Sequence, residues 1–94
     1  MAHESASRLD QWLWAVRAFK TRSLAAAAIK AGRVMVDGRA VKPSHSMHPG
    51  ERIEVRVNTG ATPWTRSLKV VGVPPSRVGA ALVRQFAEDL TPAE

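Results

Sequence analysis

The chain has no cysteine. Disulfide staples and thiolate metal sites are therefore excluded, and a reducing compartment is allowed. No stretch of about 18 consecutive apolar residues occurs, so the sequence does not read as crossing a bilayer. The opening residues MAHESAS lack the basic and apolar regions of a signal peptide. Six glycines are present, but none falls into a phosphate-cradling pattern. No internal repeat or low-complexity segment is visible. Acids are scarce as well: 8 Asp and Glu stand against 14 Lys and Arg, a net charge of +6. The isoelectric point near 11.2 points to a polyanion, RNA or DNA before an acidic membrane surface. At 94 residues and 45% hydrophobic content, the chain has the size and apolar mass of one small domain.

The positive charge is concentrated. Arg8, Arg17, Lys20, Arg22, Lys30 and Arg33 are opposed by the single acid Asp10 in that interval, so +5 of the +6 lies there. The same interval reads as a helix pair. Ser7 stands where an N-cap should, and Asp10 three residues on approximates a capping box. Leu9, Trp12, Leu13, Val16 and Phe19 repeat at helical spacing, which predicts a helix over 8–19. Asp10, Trp14 and Arg17 share an adjacent face. The segment from Lys20 to Ser23 breaks the pattern, and Thr21 or Ser23 can cap a second helix. Leu24, Ala25, Ala28 and Ile29 form its inner face, and Gly32 ends it. Lys30 and Arg33 complement its dipole.

Asp37-Gly38 between Val34-Met35-Val36 and Arg39-Ala40-Val41 is a hairpin signal. Residues 44–48 read as a polar loop. Residues 52–57 alternate, with Ile53, Val55 and Val57 inward and Arg52, Glu54 and Arg56 outward. A loop over 58–63, expected to be mobile, leads to a strand over 64–73. Pro74-Pro75 stops it. Val78, Leu82, Phe86 and Leu90 recur every four residues and predict a final helix over 76–90. The class is α+β: two N-terminal helices packed on a small, mostly antiparallel sheet, with a C-terminal helix.

Catalysis finds little support. His45 and His48 share a loop with Ser44 and Ser46, but no helix sets their spacing and no carboxylate close in sequence completes a site. They read as solvated loop residues. Asp10 reads as a cap that also orients Arg17. No cofactor or metal is expected. Binding finds more. Cations near helix ends suit phosphate oxygens, and Arg adds stacking and bidentate contacts. Trp14 either packs at the edge of the core or stacks on a base.

The segment 8–44 closely resembles the ribosomal protein S4-like RNA-binding domain. The carriers are Arg8-Leu9-Asp10, Thr21-Arg22-Ser23, Ala28-Ile29, Gly32-Arg33-Val34, Val36-Asp37-Gly38 and Val41-Lys42-Pro43, then Pro49-Gly50 before the strand at Ile53. Within that superfamily the chain resembles the stand-alone heat shock protein 15 family. Asp10-Gln11-Trp12-Leu13-Trp14, Phe19-Lys20-Thr21-Arg22-Ser23, Arg77-Val78-Gly79-Ala80-Ala81 and Glu88-Asp89-Leu90-Thr91-Pro92 carry it. The resemblance implies one S4-like domain over 1–94, with a core motif at 8–57. It implies a non-enzymatic, cytoplasmic, monomeric protein that binds ribosomal RNA. Its partner would be the free large ribosomal subunit still holding peptidyl-tRNA. The implied RNA face comprises Arg8, Arg17, Lys20, Thr21, Arg22, Ser23, Lys30, Arg33, Asp37, Arg39 and Lys42. Arg56 is placed outside it. Two departures stand out. Asp37 replaces the common turn Asn, and longer relatives carry a basic C-terminal extension where this chain ends at Glu94, which implies weaker subunit affinity or a different partner. The competing readings are another structured RNA or DNA, an RNA-guiding module of a modifying enzyme, and a protein-interaction module charged only for solubility.

Overall fold

The apolar repeat at the start of the chain builds α1, Leu9–Ala15, in the computed structural model, which describes residues 7–57 and 62–91. Residues 1–6 and most of the loop expected over 58–63 lie outside the described residues. Leu9, Trp12 and Leu13 are fully buried. Trp12 keeps its polar atom satisfied by donating Nε1–H to Gly72 O at 3.0 Å. The helix differs from its expected form at both ends. Arg8 occupies the N-cap and makes no side-chain capping bond there. The Leu9 and Asp10 N–H groups instead donate to His45 O at 2.8 Å and Pro43 O at 3.1 Å. Ser7, expected as the cap, accepts from Met47 N–H through its carbonyl. A distant loop thus satisfies the helix's first donors.

At the other end α1 stops at Ala15, a turn earlier than the 8–19 pattern predicts. Arg17 turns into the left-handed region, with φ 65°, and the N–H of Ala18 folds back onto Leu13 O at 2.8 Å. Phe19 therefore leaves the helix yet still packs against the core.

The second helix, α2, spans Arg22–Lys30. Thr21 caps it, its hydroxyl accepting from Leu24 N–H at 3.0 Å. Ala25, Ala28 and Ile29 are buried, and the small alanines let α2 lie close to α1. Leu24, expected on the inner face, is 52% exposed. Gly32, with φ 80°, ends the helix.

Five strands follow: β1 Val34–Val36, β2 Arg39–Ala40, β3 Arg52–Val57, β4 Trp64–Val70 and β5 Ala87–Asp89. They form one sheet in the order β2-β1-β3-β4-β5, every pair antiparallel. Asp37 and Gly38 both take positive φ, 50° and 81°, the requirement of a two-residue hairpin turn. Val34, Val36, Ile53, Val55, Leu68 and Val70 are buried in one core with the two helices.

The C-terminal helix expected over 76–90 is not formed. A 3₁₀ helix covers Ala80–Gln85 and buries no residue. The chain then extends into β5, which pairs with Leu68, Lys69 and Val70 of β4. The four-residue repeat was a poor guide because its members have different fates: Leu82 is 46% exposed, while Phe86 packs on the core. β4 also ends at Val70, short of Val73, because the N–H groups of Val71 and Gly72 both turn to Phe86 O.

Candidate nucleic-acid interface

Asp10 organises the corner where the two helices meet. Its carboxylate takes both Nε (3.2 Å) and Nη2 (3.0 Å) of Arg8, and also accepts from Gln11 N–H at 2.8 Å. The Asp10 side chain is only 8% exposed while that of Arg8 is 47% exposed. The buried acid therefore holds Arg8 in place with its head at the surface. Asp10 does not orient Arg17, as the sequence suggested. Arg17 donates Nε–H to Val78 O at 2.9 Å. Asp10 does line a shallow recess with Arg22, Ser23 and Ala26. Lys20, Thr21, Arg22 and Ser23 are all exposed along this inter-helix turn.

The hairpin reaches the same corner through its exit. Lys42 follows β2 and is exposed. Its carbonyl accepts from His45 N–H at 2.9 Å, and the next residues supply the carbonyls that begin α1. Arg8 itself bridges to Ser46. Arg39 is exposed on β2, the edge strand. Asp37 is engaged in the sheet: Oδ1 accepts from Arg52 N–H at 3.0 Å, and its own N–H donates to Arg52 O at 2.8 Å. Lys30 and Arg33 sit at the opposite end of α2, separated by the tight turn through Gly32, and both are exposed. The structure thus brings Arg22 and Ser23 beside Asp10, the partner of Arg8, and seats the residues that follow Lys42 on the start of α1. It places Lys30 and Arg33 at the far end, and ties Arg17 and Asp37 into the framework.

The histidine loop has a structural purpose. His45 Nε2 lies 2.9 Å from Glu51 Oε2, and Glu51 Oε1 accepts from His48 N–H at 2.7 Å. His45 is partly buried by this pairing, so it is not the solvated loop residue expected. Glu51 is six residues away, beyond the turn at Pro49-Gly50. Trp14 is half-buried, and Arg77, not Arg17, lies over its ring, 5.4 Å from the centroid. Arg77 also donates Nε–H to Trp14 O at 3.2 Å.

Sequence reasoning missed a second cluster of cations. Arg33, Arg56 and Arg66 line a groove of about 250 Å³ with Phe19, Ala18 and Val57. Alternation along β3 points Arg56 outward, which sets it outside the face expected from the sequence. The pairing of β1 with β3 brings it to Arg33, and its N–H donates to Arg33 O at 2.8 Å. Only the strand register carries that information.

Comparison with known proteins gives a consistent result. A family model described as the S4 domain matches residues 7–53. A heat shock protein 15 homolog of Aeromonas salmonicida is 39% identical over 82 residues, which cover 87% of this chain and 59% of that protein. One from Haemophilus influenzae is 34% identical over 77 residues, covering 82% and 56%. The chain therefore matches a little over half the length of these two relatives. A trimeric structure of Vibrio cholerae heat shock protein 15 superposes with a TM-score of 0.76 at 34% identity, covering 87% of this chain and 79% of that one.

Proposed function

The chain belongs to the S4 domain family and, within it, to the heat shock protein 15 family, and from that premise we propose that it binds ribosomal RNA on free large ribosomal subunits. The subunits it serves are those still holding peptidyl-tRNA after premature dissociation, which it helps return to use in the cytoplasm. What supports this reading is that Arg8, Lys20, Arg22, Ser23 and Lys42 are all exposed within the matched segment, with Arg22 and Ser23 beside Asp10, the partner of Arg8. Cations set on helix ends and a tight loop suit phosphates at fixed positions, which is how a structured RNA is read by shape. The activity is binding and not catalysis. Asp10, His45 and Glu51 are engaged in holding the scaffold.

Co-sedimentation with purified ribosomal subunits tests the reading. The protein is expected in the large-subunit fraction and not in the small-subunit fraction. Equal distribution between the two, or absence from both, would reduce the reading to generic RNA binding.

A further inference from the structure

We propose that the outer face of the sheet, on the side away from the helices, is a second docking surface for the phosphate backbone of structured RNA. This rests on the RNA-binding reading above and adds a contact that Arg22, on the helix side, does not reach. Both helices pack on the face that carries Val34, Val36, Ile53, Val55, Leu68 and Val70. Side chains alternate along a strand. Arg52, Glu54 and Arg56 of β3 therefore point the other way, beside Thr65, Ser67 and Lys69 of β4. Arg33 joins them one step beyond the Val34–Val55 pair, where its carbonyl accepts Arg56 N–H at 2.8 Å. Among the described residues, no helix packs on this face.

The register sets the charges of this face against the stability of the sheet. Arg33 lies opposite Arg56, and Arg52 lies opposite Lys69. Like charges directly opposite one another across strands destabilise a sheet. Two acids share the face, and neither relieves both pairs. Glu54 lies opposite Met35 and Ser67, not opposite a cation. Glu88 lies opposite Lys69. All four cations are exposed, and among the described residues none of them lies within ion-pair distance of a carboxylate. The result is two basic sites. Arg33 and Arg56 share a recess with Glu54, Thr65 and Ser67. Arg52 and Lys69 share another with Gly50, Glu88 and Leu90. Arg52 and Arg56 are four residues apart, a span of roughly 13 Å along a strand, so one phosphate cannot reach both. A phosphate at each site would turn the repulsion into charge-assisted hydrogen bonds, and the hydroxyls of Thr65 and Ser67 can add to one of them. Glu54 repels any phosphate placed directly over it. The backbone is therefore gripped at two separated points, which the regular phosphates of a structured RNA can supply.

The test uses two short blunt RNA duplexes, one labelled with a donor dye and one with an acceptor. A protein with RNA surfaces on both sides of its sheet brings the two together and gives energy transfer. Wild-type protein should do so. The double variants Arg52→Gln/Lys69→Gln and Arg33→Gln/Arg56→Gln should bind a single duplex and lose the transfer. Both should melt no lower than wild type, since each removes a like-charge pair. Glu54→Gln should lower the protein concentration for half-maximal transfer about two-fold, the scale of one exposed charge. Arg84→Gln removes the same charge from the 3₁₀ helix, on the core side of the sheet, and should leave the transfer intact. Transfer that persists in both double variants but is lost in Arg22→Ala means that two copies bridge the duplexes through their helix pairs, and overturns the outer face. Loss of transfer in Arg84→Gln as well means that net charge governs, and overturns it too. Binding of one duplex by the wild type with no transfer removes the outer face and leaves the helix-pair reading standing. If wild-type protein binds neither duplex, the RNA reading fails and the outer face falls with it.

Discussion

At Asp37, one side chain meets two demands. Its backbone sits at φ 50° in the hairpin turn, a conformation that Asp and Asn tolerate far better than most residues. Its carboxylate also accepts the N–H of Arg52 on the neighbouring strand. These contacts make it a structural residue of the hairpin, although the family resemblance places it on the RNA face. Asp37→Ala should lower stability by about 1–2 kcal/mol, since alanine neither favours the left-handed region nor accepts a bond. Asp37→Asn keeps both features and should stay within about ±0.5 kcal/mol. Urea unfolding of the two variants measures the difference, and RNA titration should show no loss for Asp37→Asn. A clear loss of RNA affinity in Asp37→Asn at unchanged stability would return the carboxylate to the binding face.

Among the elements, α1 and β5 depend most on distant segments. The first donors of α1 are met by carbonyls of residues 43 and 45. Its last carbonyls, on Trp14 and Ala15, are met by Arg77 Nε–H and Val78 N–H. The helix is therefore held at both ends by parts of the chain that fold back onto it. β5 is anchored by Leu90 N–H to Ser67 O, and by Asp89, whose carboxylate accepts Thr91 N–H at 2.9 Å. The Thr91 backbone bond holds the Asp89 pKa below its ordinary value of 3.8, with the Thr91 side chain and the Arg66 charge acting in the same direction. A carboxyl whose pKa is lowered by folding adds stability above the unfolded value, and that increment is lost as pH falls through the folded value. Asp89→Asn should accordingly melt slightly below wild type at pH 7, and the gap should close as pH drops below 3.8. The gap should be small because the side chain is 56% exposed and water screens the charge. Thermal unfolding of both proteins between pH 7 and pH 2 checks this. A gap that widens toward acid would mean the ionised carboxylate does not stabilise the strand.

For the whole molecule, charge distribution is the governing quantity. Of the net +6, most lies in the helix pair, and the fold adds Arg56 and Arg66 beside Arg33. RNA binding should therefore weaken steeply with salt. Each neutralised phosphate contributes about −0.7 to −0.9 to the slope of log affinity against log salt, so four contacts give a slope near −3. Titrations from low to moderate salt measure it. A flat dependence would leave the apolar surfaces, such as Leu24 and Trp64, as the means of association.

What the residues determine by themselves is local. The Asp37-Gly38 turn, the Thr21 cap, the Gly32 terminus and the alternation of β3 each depend on a few neighbouring residues, and all appear in the structure. The concentration of cations in the first third of the chain is likewise a property of order alone. The tertiary structure decided whatever depends on partners far along the chain. Residues 87–89 have a helical repeat around them, but the open edge of β4 offers a full set of ladder hydrogen bonds, and pairing outweighs the local pattern. Arg17 falls inside the helix expected over 8–19, yet it takes a left-handed turn and its side chain donates to Val78 O. Arg33 and Arg56 lie 23 residues apart in order and meet only because β1 and β3 pair in one register. Periodicity places a residue on a face of its own element. Which faces meet is settled by packing one core from both helices and the inner side of the sheet.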